Sequence, residues 1–211
     1  MSIYNKVTKL ELSQTRLSKE DAIALRQRLL GEEPQSILEI CKASSQLTLY
    51  LAALLEDQGK GTLTTFHGNT GTSKDPIKDH LTQLGLLGRT TSIQSGRSYT
   101  WAIKRLLAAE ERLEFDVCVV SGNKTWDASG FGAVLADMLL RPGGLMVLTD
   151  INWSMAGSPY FKSKPHLVQK YAQDEQRARP VQLVMDLILP HLGYEIIDAP
   201  ECKSFGLARK V

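Results

Sequence analysis

Apolar positions along the chain fall into short continuous runs that alternate with stripes spaced three and four apart, the signature of strands alternating with amphipathic helices. Ile37 to Ile40 reads as a buried strand, and Leu47, Tyr50, Leu51, Leu54 and Leu55 mark one face of a helix that Gly59 stops. Leu63 to Phe66 is a second strand. Asp75-Pro76 then opens a helix as N-cap and first-turn proline, with Ile77, Leu81 and Leu84 on its apolar face and Gly85 at its end. Thr91 to Gln94 is a third strand, followed by a helix carrying Trp101, Ile103, Leu106 and Leu107. Phe115 to Val120 is apolar on both faces, as a central parallel strand should be. A helix from Ala128 to Leu140 leads through a turn at Arg141-Pro-Gly-Gly144 into a strand from Leu145 to Asp150.

Upstream, Ser18 caps a helix from Lys19 to Leu30 with Asp21 as its capping partner, and Gly31 to Pro34 ends it. Downstream comes a loop with Trp153, Gly157 and Pro159, then polar helical sequence through Arg179. An apolar helix from Pro180 to Leu189 follows, and Tyr194 to Ile197 with Phe205 to Arg209 closes the pattern as an antiparallel hairpin. Five strands alternating with helices require a mostly parallel sheet, because parallel neighbours need right-handed crossovers that place helices on both faces. The chain divides into an N-terminal helical extension, residues 1–34, and an α/β domain, residues 35–211. Ligands of such sheets lie beyond the carboxyl ends of the strands, so residues just after the strands are the site candidates.

Composition narrows the partners. Lys and Arg total 25 against 23 Asp and Glu, and this net charge of +2 gives no global electrostatic case for nucleic acid or an acidic membrane surface. Cys41, Cys118 and Cys202 are far apart and odd in number, which argues against a disulfide framework or zinc site and for a reducing, cytoplasmic setting. The N-terminus lacks an apolar signal core, and no apolar run approaches the roughly 18 residues that span a bilayer. The expected partner is a small-molecule ligand.

Four stretches carry a family likeness: Ile37-Leu-Glu-Ile40 with Leu47-Thr-Leu-Tyr-Leu-Ala52, Phe115 to Gly122, Leu140-Arg-Pro-Gly-Gly-Leu-Met-Val-Leu-Thr-Asp150, and Ile151-Asn-Trp153. In these the chain resembles class I S-adenosylmethionine-dependent methyltransferases, specifically the bacterial small-molecule O-methyltransferase group, over residues 35–211. The resemblance implies a Rossmann-like, seven-stranded, mostly parallel sheet with a C-terminal antiparallel hairpin. It also implies S-adenosylmethionine over the ends of the first strands. Its cofactor positions fall on Glu39, Cys41, Ala43, Ser45, His67, Gly96, Arg97, Ser98 and Ser121.

Those positions depart from the family pattern in one direction. Cys41, Ala43 and Ser45 stand where the family's turn has glycines, and His67 stands where an acid holds the ribose hydroxyls. Arg97, Ser121 and Asn123 replace further acids, while Lys42 and Lys124 add cations. Glu39 and Asp150 are the acids left at the strand ends, too few for the family's magnesium site, so no metal is expected. Asp150 and Lys124 are the acid-base candidates. The implied activity is methyl transfer to an oxygen of a small molecule without metal. The alternative is a non-methylating homologue, either a subunit paired with another protein or a pocket re-tasked toward an anionic ligand. The extension's helix packs on its own domain or forms a homodimer.

Three residue readings stay open on sequence. Cys41 is a nucleophile activated at a helix N-terminus or a small buried residue. Trp126, Trp153 and Tyr160 wall a substrate pocket or cover apolar loop surface. Gly68 to Lys74 is a phosphate loop of unusual spacing or a plain connection.

Overall fold

A computed structural model describes residues 2–10, 18–41, 45–68, 76–96, 98–111 and 113–211. Two N-terminal helices, α1 (Ile3–Val7) and α2 (Lys19–Glu32), precede β1 (Ser36–Ile40). Five strands then alternate with helices: α3 (Gln46–Gln58), β2 (Thr62–Gly68), α4 (Pro76–Gln83), β3 (Thr90–Gly96), α5 (Tyr99–Leu107), β4 (Phe115–Val120), α6 (Trp126–Asp137) and β5 (Leu140–Thr149). Short helices α7 (Pro159–Lys162), α8 (Pro165–Val168), α9 (Gln173–Arg177) and α10 (Pro180–Leu183) lead to β6 (Tyr194–Ile197) and β7 (Phe205–Lys210).

The strands form one seven-stranded sheet in the order β3-β2-β1-β4-β5-β7-β6. Pairings through β5 are parallel, and β7 runs antiparallel to both β5 and β6. The order reverses at β1, whose neighbours are β2 and β4, which marks the ends of those strands as the ligand-binding crevice. Strand periodicity sorts the core into two layers. Ile37, Val117, Val119, Leu145 and Val147 pack toward α1, α2, α3 and α4, while Leu38, Cys118, Val120, Met146 and Leu148 pack toward α5, α6 and α10. Leu25 and Leu29 of α2 share the first layer with Leu47 to Leu55 of α3, so the extension buries its apolar stripe against the domain. Asp57 of α3 fixes α1 by accepting from the backbone N–H groups of Ile3 (2.8 Å) and Tyr4 (3.3 Å).

Several elements differ from the sequence reading for physical reasons. Arg141 to Gly144 does not separate a helix from a strand. Leu140 already pairs with Phe115, and the register resumes at Val117 with Leu145, so the four residues bulge out of β5. The preceding helix accordingly spans Trp126–Asp137, not Ala128 to Leu140. On α5 the buried stripe is Tyr99, Ala102, Ile103 and Leu106, which leaves Trp101 64% exposed with the Lys104 ammonium 4.2 Å from its ring centroid. Trp126 opens α6 and Tyr160 lies in α7, so neither is a loop residue. The apolar segment from Pro180 continues past α10 as a π-helical turn over Val184–Ile188. The N-cap expected at Asp75 lies outside the described residues. No helix among them is long and apolar enough to cross a membrane.

One glycine fixes the entry to β2. Gly61 has φ +88°, and a Cβ there would sit 3.0 Å from the carbonyl oxygens of both Pro34 and Gln35. Gly61→Ala is therefore expected to cost about 2 kcal/mol in urea unfolding, through backbone strain that neighbouring main chain cannot relieve.

Candidate functional site

Glu39 is the fourth residue of β1 and is wholly buried, on the face covered by α3. Its Oε2 accepts hydrogen bonds from Thr48 Oγ1 of α3 at 2.7 Å and from Thr65 Oγ1 of β2 at 2.8 Å. Its Oε1 has no partner among the described residues, and neither does the buried Oγ of Ser121, the first residue beyond β4. Ser121 is held at the sheet edge by its N–H bond to Ile40 O at 2.8 Å. Glu39 pairs in register with Val119, and Ser121 lies two residues on, so the alternation of a strand puts both polar groups on one face. Burial raises the Glu39 carboxyl to about 7, against the lowering effect of the Thr48 and Thr65 hydrogen bonds and of the Ser45 and Ser121 hydroxyls, which lie close without normal hydrogen-bond geometry to it.

The turn after β1 is organised without glycine at its described ends. Ser45 caps α3, its Oγ accepting from Leu47 N at 3.2 Å, while its own N–H donates to Thr48 Oγ1 at 3.0 Å. Thr48 thus accepts from the cap and donates to Glu39, tying the helix N-terminus to the strand carboxyl. Cys41 turns toward β2, donating from Sγ to Phe66 O at 2.7 Å. Burial first, and the Glu39 charge second, push its thiol well above the ordinary range, which favours the small-buried-residue reading over the nucleophile.

At the ends of β4 and β5, Lys124 Nζ lies 2.6 Å from Asp150 Oδ2, with the lysine side chain 9% exposed and the aspartate 31%. Asp150 adopts φ +63°, a left-handed conformation that only a few non-glycine residues take, and aspartate is among those that tolerate it best. Thr149 Oγ1 donates to the same Oδ2 at 3.3 Å. The two acid-base candidates are therefore one ion pair, held by backbone and by burial.

The remaining sequence candidates divide. Ser98 caps α5, accepting from Trp101 N at 3.3 Å. His67 is placed by its backbone in β2 opposite Gln94, and Gly96 ends β3 opposite Gly68. Ala43, Arg97 and all but the first residue of the Gly68 to Lys74 stretch lie outside the described residues. Trp153 packs edge-on against Phe161, with ring centroids 6.1 Å apart, and Tyr160 does the same at 5.2 Å. Mutual ring contact favours the covering role for these aromatics over a pocket wall.

Sequence reasoning missed Thr48 and Thr65, although Thr48 could have been found as the third helical residue after the Ser45 cap. It also missed Tyr99, whose ring lies so close to Gly122 that a Cβ there would stand 2.9 Å from it. Tyr99 Oη donates to Ala128 O at 2.8 Å, and burial, with the Asp127 charge second, pushes its phenol up to about 12.

Two groups implied by the family likeness can be tested against these residues. A divalent metal does not fit: after β4 the chain offers Ser121 and Asn123, and Asp150 is already neutralised by Lys124. The ammonium end of S-adenosylmethionine does fit, because Glu39 Oε1, once ionised, and Ser121 Oγ are buried oxygens that make no hydrogen bond of normal geometry among the described residues.

No family model and no curated protein sequence matches the chain. Solved structures match over its whole length. The chain is similar to the O-methyltransferase from Bacillus cereus in complex with SAH, with 14% identity and a TM-score of 0.68 over 100% of this chain and 91% of that one. It is similar to the O-methyltransferase TomG from Streptomyces achromogenes, in complex with SAM, with 16% identity, a TM-score of 0.65, and coverage of 100% and 90%. The SAH-bound methyltransferase PaMTH1 from Podospora anserina gives 15%, 0.57, 99% and 86%. At these identities the likeness establishes the fold, which is the Rossmann-like class I methyltransferase fold.

Proposed function

We propose that this chain, built on the class I methyltransferase fold, transfers a methyl group from S-adenosylmethionine to an oxygen of a small molecule without a metal. The observation that carries the reading is convergence at one sheet edge. Glu39 Oε1, one residue before the end of β1, and Ser121 Oγ, just beyond β4, make no hydrogen bond of normal geometry, and the Lys124–Asp150 ion pair joins the segments that follow β4 and β5.

When bound, the cofactor supplies an electrophilic methyl on a sulfonium. Glu39 and Ser121 would hold the ammonium of its amino-acid end by charge-assisted hydrogen bonds. Lys124 presents a cation to the acceptor oxygen, stabilising negative charge there as its proton departs. Asp150 holds the ammonium in place and is the acceptor for that proton, which needs only hydrogen-bond reach to the bound hydroxyl. The contribution of these residues would then be to orient the acceptor oxygen for methyl transfer.

Titration calorimetry with S-adenosylhomocysteine tests this directly. A dissociation constant of about 10 μM, some 7 kcal/mol of binding free energy, is the expected result. Absence of heat up to about 1 mM would overturn the reading in favour of the second one. That second reading, a non-methylating homologue, is favoured by the replacement of acids with Ser121 and Asn123 and by the added cation Lys124, changes that suit an anionic ligand. Inorganic phosphate in the same calorimeter is its probe.

A further inference from the structure

We infer that entry of a cationic ligand group at the ends of β1 and β4 displaces the proton held by Glu39, so that this site binds its ligand with release of a proton. The inference rests on the methyltransferase reading, which supplies the cation as the ammonium of the cofactor.

The geometry makes Glu39 a carboxyl with one half satisfied and one half waiting. Oε2 takes two hydroxyl hydrogens, from Thr48 and Thr65, while Oε1 and Ser121 Oγ lie near enough for the serine hydroxyl to favour the ionised carboxyl without making a hydrogen bond of normal geometry. Among the described residues, the groups that act on its carboxyl are uncharged hydroxyls. The α3 N-terminus brings Ser45 and Thr48, β2 brings Thr65, and the end of β4 brings Ser121. On its own strand, Cys41 is a thiol that burial keeps protonated. Lys124, beyond the neighbouring strand end, is committed to Asp150 at 2.6 Å.

With no countercharge among the described residues, an ionised Glu39 would be a lone buried anion, and the carboxyl therefore keeps its proton to about pH 7. A protonated Oε1 is a hydroxyl donor, matched to Ser121 Oγ and mismatched to an ammonium, which is also a donor. An arriving ammonium needs an acceptor there. The O–H bond of the carboxyl breaks, its proton leaves to solvent, and the carboxylate so formed accepts from the ammonium. The charge of the pocket is then balanced and every polar atom has a partner. An anionic ligand would show the reverse, binding more tightly where Glu39 is neutral.

Calorimetry of the full chain with S-adenosylhomocysteine, repeated in buffers of different ionisation enthalpy, counts the protons released. Affinity should tighten about tenfold from about pH 6 to about pH 8, with close to one proton released per ligand at the lower pH. Glu39→Gln should bind with neither pH dependence nor proton release. Thr65→Val is isosteric and removes a hydrogen bond that favours the ionised form. It should move the midpoint of the pH profile upward, a shift that a merely structural Glu39 would not give and that serves if Glu39→Gln fails to fold. Binding of the wild-type chain without pH dependence or proton release overturns the inference and leaves the methyltransferase reading standing. Binding in which Glu39→Gln or Thr65→Val keeps the wild-type profile does the same, because the proton then belongs to another group. No binding at any pH overturns both.

Discussion

Asp150→Ala will lower stability by about 3 kcal/mol, whereas Lys124→Met will change it by less than about 1 kcal/mol. The asymmetry comes from unequal burial of the two partners. Lys124 is only 9% exposed, so removing Asp150 leaves a largely buried ammonium without its partner. Asp150 is 31% exposed and can be hydrated, so removing Lys124 leaves a solvated carboxylate and a site of nearly unchanged volume. Alanine also tolerates φ +63° less well than aspartate does, which adds to the first loss. Function reverses the order of interest. Lys124→Met, although folded, should lose at least about 100-fold in methyl transfer, the usual contribution of a positioned proton-transfer or charge-stabilising group. Urea unfolding and incorporation of labelled methyl, measured on both variants, check this. Equal destabilisation by the two substitutions would mean that the ion pair is not asymmetrically buried.

Glu39→Gln will raise stability by about 3 kcal/mol at pH 8 and leave it unchanged at pH 4. The sign follows from the direction of the shift. Burial lifts the folded carboxyl from 4.5 to about 7, so between those values the folded chain holds a proton that the unfolded chain releases. Stability of the wild-type protein therefore falls as pH rises through that window, and above it the full cost of a buried charge is present. Glutamine is neutral throughout and keeps an acceptor oxygen for Thr48 and Thr65. Melting temperatures of the two proteins across this range should diverge upward in pH from a common value. Parallel curves would show that Glu39 does not carry the titration.

Most of the sheet could be read from local pattern because a parallel strand is buried on both faces. Phe115 to Val120 has no polar alternation to confuse with anything else. The Ser18 cap and the closing hairpin were equally legible, being set by neighbours in sequence. What escaped depends on contacts far along the chain. Nothing local distinguishes the Arg141 to Gly144 bulge from a turn; only the pairing of Leu140 with Phe115 does. Helix α1 is five residues long, shows no periodicity, and is held by Asp57 from another helix. At the site, Glu39, Lys124 and Asp150 stood out because strand ends are where ligands bind. Their partners did not, since Thr65 reaches Glu39 only through the β1–β2 register. Cys41 and Ser45 stand where the family's turn has glycines. Cys41 turns into β2, and Ser45 is used up in capping.

The burial of every cysteine has a practical side. Cys41, Cys118 and Cys202 are each at most 3% exposed, and burial raises all three thiols above their ordinary range. The native protein therefore offers no reactive sulfur to a maleimide. A single cysteine introduced at exposed Ser98, beside the crevice and outside the ion pair, would be the lone labelling position. A fluorophore attached there would turn ligand entry at the sheet edge into an optical signal, without any prior need to remove a thiol from the core.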